Sequence, residues 1–553
     1  MKDKTHITIH LLIAAMLIFC SCKAMAQSYF FRHYQVENGL SNNTVFCSTQ
    51  DNYGFMWFGT KDGLNRFDGY HFKYYNINNK GFSMEPDMIN CLLVDKQNTL
   101  WVGSQKGLYF FDRQKEILVP LIDSLAWVNC LYIDKNKQLW FISAQMVCRY
   151  DLRTKTLTKF PESKYISATY ICGDANGNVW ISTPDGHLEL YNRDSDSFTA
   201  FNLFSHSPAS NSNWIHRIYP AEGNALYVGT SSQGLKIFDI ATGTYKDLLI
   251  YNPDKTTIYI RDIKKFSDNE FWFATESGIF ILNTVTKQFT NLKKNFTDPY
   301  SLSDNALYSL CKDSEGGMWA GTYFGGVNYY SREYDVFKKY FPDNSGSSIS
   351  GSAVREICGD HEGNIWIGTE DAGLNKLNTA TGAITQFKPT GENGSIAYSN
   401  IHGLLVSGND LWIGMFDHGL DILDIQTGKV KKHYKSGPGK YDMKNNFIVS
   451  LLQTRSGDIY SGTGGSLYKF NPSIKGFDLV NEVDQNVFIA ALLEDHSKTI
   501  WAGSHGSGIF FFNPVTKQHG YFHNEPGNQN SLTNNIVNAI FEDSKQNIWI
   551  ATE

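Results

Sequence analysis

The chain has 553 residues, with 49 Lys and Arg against 55 Asp and Glu, for a formal net charge of −6. That balance gives no electrostatic case for nucleic-acid binding, which needs a basic face. The length suggests more than one domain, and aromatic residues at 14% are numerous enough to fill many sheet-to-sheet interfaces.

Residues 1–26 read as a signal peptide. Lys2 and Lys4 give a positive start, residues 7–19 are mostly apolar, and Ala24-Met25-Ala26 supplies an A-x-A cleavage site that leaves Gln27 first. Cys22, after Phe19-Cys20-Ser21, is an alternative lipoprotein site. An uncleaved anchor is a third reading, although the apolar run is shorter than the ~20 residues that span a bilayer. The expected location of the mature chain is periplasmic.

From Asp51 the sequence restates one pattern. DNYGFMWFGTKDGLNRFDG returns as DKQNTLWVGSQKGLYFFD from Asp95, DSEGGMWAGTYFGGVNYY from Asp313 and DHEGNIWIGTEDAGLNKLN from Asp360. DHSKTIWAGSHGSGIFFFN follows from Asp495 and a shorter DSKQNIWIATE from Asp543. The anchoring aromatic falls at Trp57, Trp101, Trp140, Trp180, Tyr227, Trp272, Trp319, Trp366, Trp412, Tyr460, Trp501 and Trp549. Successive gaps lie between 39 (140−101) and 48 (549−501) residues, the length of a four-stranded propeller blade. Short alternating runs bounded by Asp, Asn and Gly give the strands, and no amphipathic helical stretch interrupts them. The expected fold is all-β: a seven-bladed β-propeller over 27–333, then a partial second propeller of about five blades over 334–553. Its last blade stops after two strands, so the chain reads as part of a longer protein.

Cys47, Cys91 and Cys130 lie ten residues before their Trp, and Cys172, Cys311 and Cys358 lie eight before. Ten and eight differ by one strand period, so all six face the same side of a blade's first strand. They belong to different blades and are expected to be reduced core residues rather than disulfides.

The repeat D-x-x-G-x-h-W-h-G-T-x-x-G-L-x-x-h-D/N resembles the two-component-regulator propeller repeat. Exported sensors of hybrid two-component systems in gut Bacteroides-type bacteria carry that repeat as tandem seven-bladed propellers. HYQVENGLSNNTV, from His33 to Val45, is similar to the family's opening segment. The resemblance implies recognition of oligosaccharides released from glycans, with control of polysaccharide-utilisation genes. It also implies a homodimeric full-length receptor whose membrane helix and kinase follow the propellers, so that membrane attachment comes only through segments this chain lacks.

Ten of the twelve Trp occupy the repeat position and read as structural. Trp127 and Trp214 do not. Each lies seven residues before its blade's turn (134−127, 221−214), at the start of a first strand on the loop face, where a ring can stack on a sugar. His216 and Arg217 beside Trp214 are candidate hydrogen-bonding groups. The loops between second and third strands add Tyr323, Phe324, Phe416, Asp417 and His418, with Asp62, Asp371 and His505 as plainer members. No catalytic residues, metal ligands or cofactor are expected. Asp62 and Asp371 fall in different propellers and make no glycosidase pair, His519 and His523 lack a helix to set their spacing, and residues 174–178 are the recurring turn rather than a calcium loop. An exported lyase or glycosidase, or a protein-interaction scaffold, are the alternatives.

Overall fold

Each repeat folds as its hydrogen-bonding groups dictate. In the first, Asp51 ends the strand Val45–Gln50. Its Oδ1 accepts the backbone N–H of Tyr53 and Phe55 at 3.0 and 3.1 Å, closing the turn. Its Oδ2 accepts the indole N–H of Trp57 at 2.8 Å. The carboxylate therefore fixes turn and ring together, which is why Asp precedes Trp by six residues. The same Asp-to-indole bond, at 2.8–3.0 Å, recurs at Trp101, Trp140, Trp180, Trp319, Trp366, Trp501 and Trp549. Trp272 lacks the Asp and donates to Glu270 at 2.9 Å instead.

The computed structural model describes residues 29–77, 88–122, 125–160, 167–204, 212–333, 337–343 and 346–553. The expected signal peptide and its Cys22 alternative lie outside them. The described residues form eleven four-stranded antiparallel sheets and one two-stranded sheet. A 3-10 turn, Val36–Asn38, follows the first strand. Two compact units divide the chain, residues 1–338 and 339–553.

In the first unit six sheets run in chain order, over residues 45–75, 89–120, 128–160, 170–202, 215–249 and 260–292. The seventh holds 307–312, 318–322 and 327–330, and its outermost strand is Phe31–Tyr34 from the start of the chain, paired Phe31↔Tyr330 through Tyr34↔Val327. The ring is laced shut by the chain's first strand, to which the sequence reading had given no pairing partner. The first unit is a complete seven-bladed propeller. In the second, four full sheets cover 354–387, 401–434, 448–479 and 489–522, and a two-stranded sheet covers 537–552.

Apolar residues of neighbouring sheets form the core between blades. Trp57 packs with Leu64, Ile89, Val102 and Phe111, and Trp140 packs with Phe160, Ile171, Ile181 and Tyr191. Two cross-blade ion pairs strengthen this. Arg113 reaches Asp51 of the preceding blade at 3.0 Å, and Arg193 reaches Asp134 at 3.1 Å. The repeat Trp of the last sheet behaves differently, since Trp549 is 61% exposed while Trp57 and Trp366 are fully buried. Cys47, Cys91 and Cys130 are free thiols that point at the carbonyls of Ile89, Val128 and Ile171, one blade on. No described helix is long and apolar enough to cross a membrane.

Candidate functional site

One irregularity repeats in the innermost strands. Their register slips between the first and third residues, as at Val45/Cys47, Ile89/Cys91, Val128/Cys130, Ile215/Arg217, Ile260/Asp262 and Leu307/Ser309. A β-bulge of this kind leaves the middle residue out of the ladder and re-aims its side chain. In the first unit the bulged residues are Phe46, Asn90, Asn129, His216, Arg261 and Tyr308. All six line a cavity of about 530 Å³ formed by the innermost strands, together with Tyr170, Trp214, Arg217 and Asp262.

Around Trp214 the lining is rich in rings, and its two arginines are held in ion pairs with Asp262 and Glu276. Trp214 is 38% exposed, and its backbone carbonyl accepts the N–H of Ser231 at 3.0 Å. His216 Nδ1 lies 3.2 Å from the Tyr259 hydroxyl, and burial, then the charges of Arg217 and Arg261, hold its pKa down at about 3. It is a neutral imidazole at physiological pH. The Arg261 guanidinium lies between the rings of Tyr259 and Tyr308, 3.7 and 4.5 Å from their centroids. It bonds Glu276 through both Nε, at 3.1 Å, and Nη2. Tyr308 stacks on Tyr323 with centroids 5.4 Å apart, and Tyr323 meets Phe324 edge-on at 4.4 Å. Phe324 is 72% exposed.

The sequence candidates separate accordingly. Trp214, His216, Tyr323 and Phe324 belong to this lining or its rim. Arg217 does not offer the free donors expected of it. Its Nε and Nη2 both bond Asp262 Oδ1, at 2.7 and 2.6 Å, and its guanidinium lies 4.1 Å from the Tyr170 centroid. Asp262 in turn accepts the N–H groups of Ile263 and Leu310, each at 2.8 Å, so the pair braces three blades of the channel wall. Trp127 is 47% exposed but stands off the channel lining. Its φ of +50° is unusual for a bulky residue. Its N–H donates to Gln105 at 2.9 Å and its carbonyl accepts from Ala144 at 3.2 Å, tying two loops together. Asp371 caps the N–H of Ser352 at 3.0 Å.

Phe416, Asp417 and His418 lie on one hairpin of the second unit. Phe416 is 43% exposed and meets Phe447 edge-on at 4.8 Å. Asp417 adopts φ +53° at the turn. His418 stacks face to face on Tyr398, their centroids 3.7 Å apart. The sequence reading missed Tyr259, Arg261 and Tyr308, and also Arg355 and His402, the bulged residues of the second unit's first two sheets. The signal was available, since in most repeats this residue comes just after the first strand's opening Val, Ile or Leu.

The profile of the Two component regulator propeller matches residues 39–62, 83–106, 301–324, 348–371 and 531–553. The chain carries two-component regulator propeller repeats. A stretch of 58 residues is 43% identical to histidine kinase P4 of Formosa agariphila; it is 10% of this chain and 4% of that kinase. Among solved structures, the extracellular domain of a candidate hybrid two component system, BT3049 of B. thetaiotaomicron, aligns over 95% of this chain and 76% of that one. Its TM-score is 0.60 and its identity 23%. The extracellular domain of a candidate one component system of the same organism, BT4673, aligns over 95% and 82%, with a TM-score of 0.49 and 16% identity. The first of these likenesses shows the tandem propeller fold.

Proposed function

We propose that the chain is the periplasmic recognition module of a hybrid two-component sensor, and that it binds a glycan-derived oligosaccharide at the channel mouth of its first propeller. The observation that carries this reading is the rim itself. An exposed Trp214 stands on the same channel lining as a neutral His216 and as Arg261, which is set between two tyrosine rings and paired with Glu276. Aromatic faces with a few fixed polar groups are what a sugar site requires. Binding would bias one arrangement of a full-length, homodimeric receptor by no more than its differential affinity for the two states. Expression of polysaccharide-utilisation genes would be the output.

The test is calorimetric titration of the full chain with neutral oligosaccharides, followed by mass spectrometry of the recovered sugar. Binding without cleavage, weakened at least tenfold in Trp214→Ala, is expected. Cleaved product would favour the exported-enzyme reading, and binding indifferent to Trp214 would remove the site.

A further inference from the structure

The bulge has a geometric consequence that runs through both units. In four repeats, two in each unit, the bulged residue meets the residue fourteen or fifteen positions on, just past the second strand, side chain to side chain at the rim. Arg261 meets Glu276 in this way, and Tyr308 stacks on Tyr323. In the second unit Arg355 Nη1 meets Glu370 Oε1 at 3.1 Å. His402 meets Phe416 with centroids 5.9 Å apart, fourteen positions on because that hairpin is one residue shorter.

The order of these pairs is the same in both units. Within each, one blade presents an Arg–Glu pair and the next blade presents a pair of rings. In the first unit the cation lies over the Tyr308 face. In the second, His402 is 8% exposed, its Nδ1 has no partner, and Phe447 packs edge-on against it at 4.8 Å. Phe447 is backed by Phe488 at 5.5 Å, so the Phe416 ring rests on an aromatic bed rather than on mobile side chains. Arg355 and Glu370 are 46% and 40% exposed, which leaves their outer donors and acceptors open to a ligand.

We propose that this two-blade constellation is a sugar subsite, and that the second unit carries its own, built from Arg355, Glu370, His402 and Phe416. The proposal rests on the oligosaccharide reading of the first rim and extends it to a second site on the same chain. An Arg–Glu pair offers fixed donors beside an acceptor with no net charge, which suits adjacent hydroxyls of an uncharged pyranose and selects against anionic or cationic ligands. The neighbouring rings supply the apolar face on which such a sugar lies.

The experiment is calorimetry on the full chain with cellotriose, xylotriose, mannotriose, laminaritriose and maltotriose as probes. Two variants separate the sites: Glu276→Gln with Tyr323→Ala, and Glu370→Gln with Phe416→Ala. Phe416→Leu serves if the alanine variant fails to fold. Two equivalents of at least one trisaccharide are expected to bind per chain, with each double variant losing one of them by at least tenfold in affinity. One equivalent that the first variant abolishes and the second leaves intact would overturn the second subsite while leaving the sensor reading standing. Two equivalents unaffected by the second variant would also overturn it. Failure of all five sugars to bind the unaltered chain would overturn both readings for neutral glycans.

Discussion

Replacing Asp51 by Ala tests whether the repeat carboxylate, rather than the Trp alone, holds a blade. Asp51 is fully buried and accepts from two backbone N–H groups, the Trp57 indole and the Arg113 guanidinium. The substitution leaves the indole N–H of a ring with 0% exposure unpaired, at about 1–3 kcal/mol for the orphaned donor. It also takes the carboxylate from Arg113, a half-buried guanidinium that keeps its bonds to the Asn98 carbonyl, so this loss lies at or below about 3 kcal/mol, the lower end for a broken buried pair. These overlap, and a total near 4 kcal/mol follows for the first propeller. Asp543→Ala is the control. It deletes the same bonds to Lys545 N–H, Asn547 N–H and the Trp549 indole. There the ring is 61% exposed and water replaces the lost acceptor, so the cost is several-fold smaller. Urea unfolding followed by tryptophan fluorescence, with each unit's transition resolved, reads both. Equal losses in the two variants, or an Asp51→Ala loss under 1 kcal/mol, would refute burial as the deciding factor.

Two further expectations follow from ionisation. The pKa of His216, about 3 when folded, lies below the ~6.5 of an unfolded histidine, so the unfolded chain takes up the proton first. Its contribution to stability is whole above pH 6.5 and drains as pH falls toward 3, by about 1–2 kcal/mol at pH 5; thermal melts from pH 7.5 to 5 should show this slope flattened in His216→Phe. Burial pushes the thiols of Cys130 and Cys311 up to about 11. At pH 8 both should react with Ellman's reagent on the order of a hundredfold more slowly than a free cysteine near 8.5, and rapid labelling of the native protein would contradict their placement.

The blade framework was legible because it is local. Asp, Gly and Trp lie within six residues of one another, and each reports a hydrogen bond or turn made inside one hairpin. The first-strand cysteines could be assigned to one face for the same reason. The rim was only half legible. Trp214 and Tyr323 stand out as rings in loops, whereas Arg261 and Tyr308 sit inside strands, where simple alternation assigns them to a sheet face. The bulge that turns them toward the channel leaves no mark in the alternation, and only their shared place after each first strand's opening apolar residue points to them. The ion pair that occupies Arg217 was not legible because its partner, Asp262, is one blade away, and no local pattern announces a pairing across 45 residues.

The strand that laces the seventh blade also sets an order of events. Phe31 cannot meet Tyr330 until about 300 further residues have followed it to the place where the chain folds. Six sheets can assemble from neighbours as they emerge, but the circle waits for its two most distant segments, a loop closure of the slowest kind. Until then the seventh sheet has three strands and an unpaired edge, the feature most prone to capture by another chain. The vulnerable interval in this protein's life is thus the one before its first strand comes home.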